Sequence, residues 1–73
     1  MTLSPTRTKE LTKREEEVLK LIAAGLTTKE LAHNLGITFK TAASHRSRLM
    51  EKLDIHDVAR LTLYAVRVGL VTP

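Results

Sequence analysis

Apolar residues recur at helical spacing along the chain, and residues that begin or end helices separate the runs. Thr12 and Glu15 have the spacing of a capping box, so we expect a first helix from Thr12 to about Ala24. Gly25 provides the left-handed residue that commonly follows a helix. The apolar positions of this helix form one stripe: Val18, Leu19 and Ile22.

The same signals repeat in a shorter form directly afterwards. Thr27 and Glu30 form a second capping-box spacing, and Gly36 ends the run after about two helical turns. Its inward face consists of Leu31, Ala32 and Leu35.

Two further helices follow the second run. Thr38 is a suitable N-cap for a helix over Phe39 to Leu53, whose apolar residues Ala42, Leu49 and Leu53 share one arc. A fourth helix begins after the N-cap Asp57 and closes at Gly69. Because no stretch alternates as a strand does, the pattern predicts a compact all-α domain of four helices.

Length and composition agree with one small domain. The chain has 73 residues, 42% of them hydrophobic, and a single core of that size supplies only a few kcal/mol of stability. We expect a flexible lead-in or linker at 1–10 and one folded domain at 11–73. Cysteine is absent and no apolar run reaches membrane-spanning length, so we expect a soluble protein of the cytoplasm.

Positive charge is concentrated on the third predicted helix. The segment 38–52 contains Lys40, Arg46, Arg48 and Lys52 against Glu51 alone, whereas the charges of segment 1–24 nearly balance. A short helix, a turn with glycine and a longer helix describe a helix-turn-helix, whose second helix enters the DNA major groove. Small polar residues flanked by cations suit close approach to base edges.

These stretches resemble the helix-turn-helix domain of the LuxR/NarL/FixJ (GerE-type) bacterial transcription regulators. The similarity extends from Leu11 to about Val71, through "LTKREEEVL", "GLTTKELAHNLGI", "KTAASHRSRLMEKL" and "YAVRVGLV". It implies a four-helix DNA-binding domain, either the output domain of a two-component response regulator or a stand-alone regulator. Duplex DNA of a promoter or operator, a second copy of the chain and RNA polymerase are the partners that it implies. It implies no cofactor.

The resemblance also assigns DNA contacts residue by residue. Ala43 offers a thymine methyl group only an apolar contact, and Ser44 and Ser47 bond to donors or acceptors alike, so Lys40 is the one long base reader. The family's base-facing positions fall on Lys40, Ala43, Ser44 and Ser47. Contacts to the DNA backbone are implied for Thr28, Lys29, Thr41, His45, Arg46 and Arg48.

The fourth helix carries apolar residues on two opposite sides, and the family forms its dimer through this helix. One stripe contains Val58, Leu61, Ala65 and Val68, and the other contains Ala59, Leu63, Val66 and Leu70. Since one stripe suffices for the domain's own core, we expect the other to meet a partner. The sequence alone does not show which stripe faces the partner. Val58, Thr62 and Ala65 are small enough for two helices to cross closely, so we predict a weak dimer interface at Val58, Leu61, Thr62 and Ala65.

Other interpretations of these residues compete with the DNA-binding one. A helical protein-interaction module without specific DNA binding is the alternative function. An enzyme requires a nucleophile with a base, or an acid–base pair, and no such constellation is visible. His33, His45 and His56 lie on three segments without metal-ligand spacing, so we predict no metal site. Phe39 and Tyr64 are interpreted as packing residues.

Overall fold

Four α-helices make up the part of the chain that this computed structural model describes, residues 11–72. The all-α prediction is confirmed, and the third helix has the expected bounds. The predicted lead-in at 1–10 lies outside the described residues. No helix within 11–72 has both the length and the apolar character needed to cross a membrane. The helices are α1 (Lys13–Ala23), α2 (Thr28–Leu35), α3 (Phe39–Leu53) and α4 (Val58–Arg67).

Each helix begins at a side-chain cap that the sequence predicts. Thr12 Oγ1 accepts the amide of Glu15 at 3.1 Å, while Glu15 Oε1 accepts the amide of Thr12 at 2.8 Å. Thr27 and Glu30 repeat this capping box with the same two distances, 2.8 and 3.1 Å. Asp57 Oδ1 accepts the amide of Arg60 at 2.8 Å. These bonds satisfy amides that have no carbonyl partner in the first turn, which defines where the helices start.

All four helices end in the same way. The residue just beyond the last turn has a positive φ, and the next residue donates its amide to a carbonyl five positions back, the Schellman arrangement. These amide bonds are 2.9–3.1 Å long and start from Leu26, Ile37, Ile55 and Leu70. The left-handed residue is glycine at three of the ends and Asp54, with φ 56°, at the end of α3.

The core lies between α1 and the other helices. α1 packs against α2, α3 and α4, and α2 packs against α3. Leu35, expected on the inward face of α2, is only half-buried and packs at the edge of the core. The buried core residues are Val18, Leu19, Ile22, Leu31, Ala32, Ala42, Leu49, Leu53, Leu61 and Ala65.

One ion pair connects the start of α1 with the end of α3. Lys52 Nζ in the last turn of α3 lies 3.0 Å from Glu15 Oε1, the oxygen that also accepts the Thr12 amide. The hydrogen bond from the Thr12 amide lowers the pKa of Glu15; burial works against that change, and the charge of Lys52 adds to it. Glu15 is therefore held ionised at the junction of the two helices.

Candidate nucleic-acid interface

The connection between α2 and α3 is short and held at both ends. Gly36 takes the left-handed conformation, with φ 69°, and ends α2. Ile37 packs against the core, and Thr38 caps α3 by accepting the amide of Thr41 at 3.1 Å. Since α2 also packs directly on α3, the two helices form the helix-turn-helix arrangement expected from the sequence.

The exposed side of α3 carries the predicted base readers. Ala42, Leu49 and Leu53 face the core, and the opposite side of the helix is open to solvent. Glu51 is exposed on this side too, one turn beyond Ser47, so an acidic group bounds the surface toward the C-terminal end of the helix. On α3 the surface therefore extends from Lys40 to Arg48 and ends before Glu51. Exposed members of the predicted set are Lys29, Lys40, Thr41, Ser44, Ser47 and Arg48, and half-buried members are Thr28, Ala43, His45 and Arg46.

The cations of this surface form no ion pair with a carboxylate in the part of the chain that the structure describes. Within residues 11–72 the ion pairs are formed by other groups: Arg14 with Glu17, Lys52 with Glu15, and Arg60 with Asp57. Lys29, Lys40, Arg46 and Arg48 take part in none of these pairs. Their charge can therefore act on a polyanion such as the phosphate backbone.

Hydrogen-bond donors for phosphate accompany the cations. The Thr38 hydroxyl donates to Thr41 Oγ1 at 2.9 Å, which leaves the Thr41 hydroxyl proton available for another acceptor. At the start of α2, the capping box uses the amides of Thr27 and Glu30. The amides of Thr28 and Lys29 lie in the same first turn and have no acceptor among the described residues. Amides at such a position are suited to bind an anion.

Comparison with known proteins decides the family. The family model described as "Bacterial regulatory proteins, luxR family" matches residues 9–65, which is most of the chain. The chain belongs to the luxR family. The domain is therefore of the class that transcription regulators use to bind DNA, and the resemblance found in the sequence is confirmed.

Curated relatives of this luxR-family domain are longer proteins. It is 46% identical over 63 residues to an uncharacterized response regulatory protein, YgeK, of Escherichia coli K12, and covers 43% of that protein. It is 48% identical over 62 residues to the transcriptional regulatory protein MctR of Rhizobium johnstonii. It is also 48% identical over 61 residues to the transcriptional regulatory protein LiaR of Bacillus subtilis. The matches cover 84–86% of this chain but only 29% of the latter two proteins.

The predicted dimer interface of the luxR-family domain needs correction. Leu61 and Ala65 are both 0% exposed, because their side of α4 packs against α1 in the domain's own core. Neither has surface to offer a partner. Val58 is 40% exposed and Thr62 is half-buried, while Leu63, on the opposite stripe, is 62% exposed. The free apolar side of α4 is therefore the one around Leu63.

The two aromatic residues of the domain differ in their surroundings. Tyr64 is half-buried against the core, and this burial raises the pKa of its hydroxyl. Phe39 is 59% exposed at the start of α3, so its interpretation as a packing residue is wrong. It is the first residue of α3 and is not among the hydrophobic residues within 11–72 that form the core or pack against it.

The three histidines lie on separate parts of the structure. His33 is on α2, His45 is on α3, and His56 follows α3, where its Nε2 lies 3.3 Å from Asp54 Oδ1. Within residues 11–72 no group of three histidine, aspartate or glutamate side chains is close enough to hold a metal ion.

Proposed function

We propose that this domain binds double-stranded DNA in a sequence-specific manner and is the DNA-reading part of a bacterial transcription regulator acting in the cytoplasm. The observation that carries the proposal is the open side of α3, where small polar residues lie between cations that form no ion pair within residues 11–72. The packing of α2 on α3 across a three-residue turn supports the docking of α3 in a major groove.

The residues divide by the contacts they are suited to make. Lys40, Ser44 and Ser47 lie on the open side of α3 that is proposed to meet base edges, with Ala43 beside them. Contacts that position the domain without reading sequence come from cations, hydroxyls and helix-start amides. We assign these positioning contacts to Thr28, Lys29, Thr41, His45, Arg46 and Arg48.

Salt-dependent binding to duplex DNA tests this function. A variant with Lys40, Arg46 and Arg48 changed to alanine should lose most of its affinity, and the slope of log affinity against log salt should fall by about one for each cation–phosphate interaction removed. The control variant changes Lys13, Arg14 and Lys20 of α1 to alanine, which removes the same amount of charge. It should retain the slope of the parent.

A circular dichroism spectrum shows whether each variant keeps its helices. If the α3 variant is folded and binds duplex DNA as tightly as the control variant, the assignment of the interface is wrong. If neither variant nor the parent binds duplex DNA in a salt-dependent way, the alternative function, a helical protein-interaction module, replaces this one. The single change Lys40→Ala should relax preference at one base position by about 1–3 kcal/mol.

The domain is proposed to work within a longer regulator. It spans less than half the length of each of the three relatives described above. One of them is named as a response regulatory protein and two as transcriptional regulatory proteins. We therefore assign this chain the output role of a two-component response regulator or of a similar regulator with its own sensing part.

Pairing of two domains on DNA is proposed to use the exposed side of α4. Leu63 is 62% exposed and has Ala59 and Val66 on the same side of the helix, with Val58 and Thr62 at its border. One helix offers a small contact, less than about 1,200 Å², which is the range of weak and transient interfaces. The dimer is therefore expected to form when two half-sites bring the domains together.

Cooperative binding to a duplex with two half-sites tests this interface. The variant Leu63→Arg should bind a duplex with one half-site like the parent and lose the extra affinity for a duplex with two half-sites. The control is Lys20→Ala on α1, which changes an exposed residue away from α4 and should keep the cooperativity. Unchanged cooperativity in Leu63→Arg contradicts the interface on this side of α4.

A further inference from the structure

Phe39 is a large apolar side chain at the N-terminal end of α3, the helix that is proposed to enter the major groove. It is the first residue of α3, and 59% of its surface is exposed. Cα–Cβ bonds tilt toward the helix N-terminus, so the ring extends toward the end of α3 that enters the groove. Residues near that end contact base edges in helix-turn-helix domains.

The neighbours of Phe39 give this exposure a meaning. A single exposed hydrophobic residue is ordinary on a protein surface. Phe39, however, lies on the same side of α3 as Ala43 and Ser47, at i, i+4 spacing, and both of these residues are proposed to face the bases. The other large hydrophobic residues exposed within residues 11–72, Val58 and Leu63, both belong to α4. Phe39 is thus the large apolar group that α3 presents to a partner.

Apart from Lys40, the remaining base-facing residues proposed on α3 are short. Ala43 has no hydrogen-bonding group in its side chain, and the hydroxyls of Ser44 and Ser47 accept as well as donate, so they discriminate weakly between bases. A surface of this composition needs another source of sequence preference. In the major groove, the apolar group that base pairs display is the 5-methyl group of thymine.

We propose that Phe39, together with Ala43, contacts thymine methyl groups and so gives this domain a preference for thymine at one or two positions of its half-site. This inference rests on the proposed function, because it requires that α3 enters the major groove. It assigns Phe39 a role in specificity rather than in general affinity. Burial of one methyl group corresponds to about a fourfold change in affinity.

Replacing thymine by deoxyuridine tests the contact, since this change removes only the 5-methyl group. A preferred half-site is first selected from a library of randomised duplexes with the parent domain. Each thymine of that half-site is then replaced singly by deoxyuridine, and affinity is measured at constant salt. The parent should lose about three- to fivefold affinity at one or two of these positions.

Three variants locate the origin of that loss. Phe39→Ala should bind the thymine duplex more weakly and show a thymine-to-deoxyuridine ratio near one at the affected position. Phe39→Leu keeps an apolar side chain and should retain most of the ratio. Arg48→Ala, which removes a proposed phosphate contact, should weaken binding to both duplexes and leave the ratio as in the parent. Because Phe39 is exposed, its substitution should leave the helical spectrum of the domain unchanged.

The outcomes separate this inference from the proposed function. Salt-dependent duplex binding by the parent with no effect of deoxyuridine at any position overturns the inference and leaves the function intact. A ratio that persists in Phe39→Ala assigns the methyl contact to another residue and also overturns it. Absence of salt-dependent duplex binding by the parent removes the proposed function, and the role of Phe39 with it.

Discussion

The helices α3 and α4 are both covered by the core on one side, yet only α3 shows in its sequence which side that is. On α3, the buried residues Ala42, Leu49 and Leu53 form the single apolar arc, and the opposite side is polar. On α4, apolar residues occupy two opposite sides, and the structure buries the side of Leu61 and Ala65 while leaving Leu63 62% exposed. Periodicity identifies a buried side only where the other side could not be buried.

The strongest test of this contrast is a charge on each side of α4. Ala65→Arg should unfold the domain, because the position is 0% exposed and an arginine adds both excess volume and an unpaired charge to the core. The cost, several kcal/mol, is comparable with the total stability of so small a domain. Leu63→Arg should remain folded, within about 0.5 kcal/mol of the parent, as surface substitutions usually are.

Urea unfolding followed by circular dichroism measures both variants. Equal stability of Ala65→Arg and Leu63→Arg would contradict the burial of only one side of α4, and a lower stability of Leu63→Arg would mean that the two sides are assigned the wrong way round. The result also decides which variant is fit for binding studies, since a loss of DNA binding in an unfolded protein says nothing about dimer formation.

Two neighbouring positions on α3 test the same contrast between a buried and an exposed side of a helix. Leu49 is 0% exposed and should cost about 2–5 kcal/mol when changed to alanine, through reduced burial and the cavity left behind. Arg48, one residue earlier, is exposed and should change stability by less than about 0.5 kcal/mol as Arg48→Ala. Its effect should appear in DNA affinity instead. Similar unfolding midpoints for the two variants would contradict the placement of the helix.

Much of the fold is predictable because its signals are local. The caps Thr12, Thr27, Thr38 and Asp57 act within three residues of their own position, and the structure forms every one of these bonds. The ends of the helices depend likewise on one left-handed residue each. The side of α4 that is buried depends instead on α1, which lies more than 30 residues away in sequence, and no local pattern carries that information.

The candidate site likewise has features that local sequence patterns predict and features that they do not. The exposure of Lys40, Ser44 and Ser47 follows from their place opposite the apolar arc of α3. The exposure of Phe39 does not, because a large aromatic residue is usually buried and no local pattern shows whether the core covers the first turn of α3. The Lys52 to Glu15 pair, 37 residues apart, was also beyond sequence analysis.

The ends of the two helices offer a smaller test. α3 ends at Asp54 with φ 56°, whereas α4 is followed by Gly69 with φ 82°. Asp54→Gly should stabilise the domain by about 0.5–1 kcal/mol, because glycine adopts this backbone conformation without a penalty. The exposed contact with His56 contributes too little to reverse the sign.

Replacing the glycine that follows α4 should lower stability instead of raising it. Gly69→Ala should cost about 1 kcal/mol, and the cost comes from the backbone alone, since an added Cβ would meet no atom within 4 Å. Thermal unfolding of both variants checks the pair. A lower melting temperature for Asp54→Gly than for the parent would show that the aspartate side chain contributes more than its backbone costs.

The smallest expected effect concerns the ion pair between Lys52 of α3 and Glu15 of α1. Within residues 11–72 no ion pair connects α4 with α1. Because the fold lowers the pKa of Glu15 below its ordinary value of 4.5, its stabilising contribution is complete above that value and is lost as pH falls through the lowered pKa. Glu15→Gln should cost a few tenths to about 1 kcal/mol at neutral pH.

The pH profile identifies the group. The difference in stability between the parent and Glu15→Gln should shrink as the pH is lowered below about 4.5. Arg60→Gln, which breaks the exposed pair with Asp57, is the control. Its stability should fall at acid pH in the same way as that of the parent. A difference between parent and Glu15→Gln that stays constant through the acid range would show that ionisation of Glu15 plays no part.

The single oxygen atom Glu15 Oε1 connects the start of α1 with the last turn of α3. It accepts the Thr12 amide at 2.8 Å and the Lys52 ammonium at 3.0 Å. When the first turn of α1 frays, the acceptor of Lys52 moves with it, so the last turn of α3 loses a restraint at the same moment. Opening of the first turn of α1 should therefore also raise amide exchange in the last turn of α3, although Leu49 and Leu53 still anchor that turn in the core.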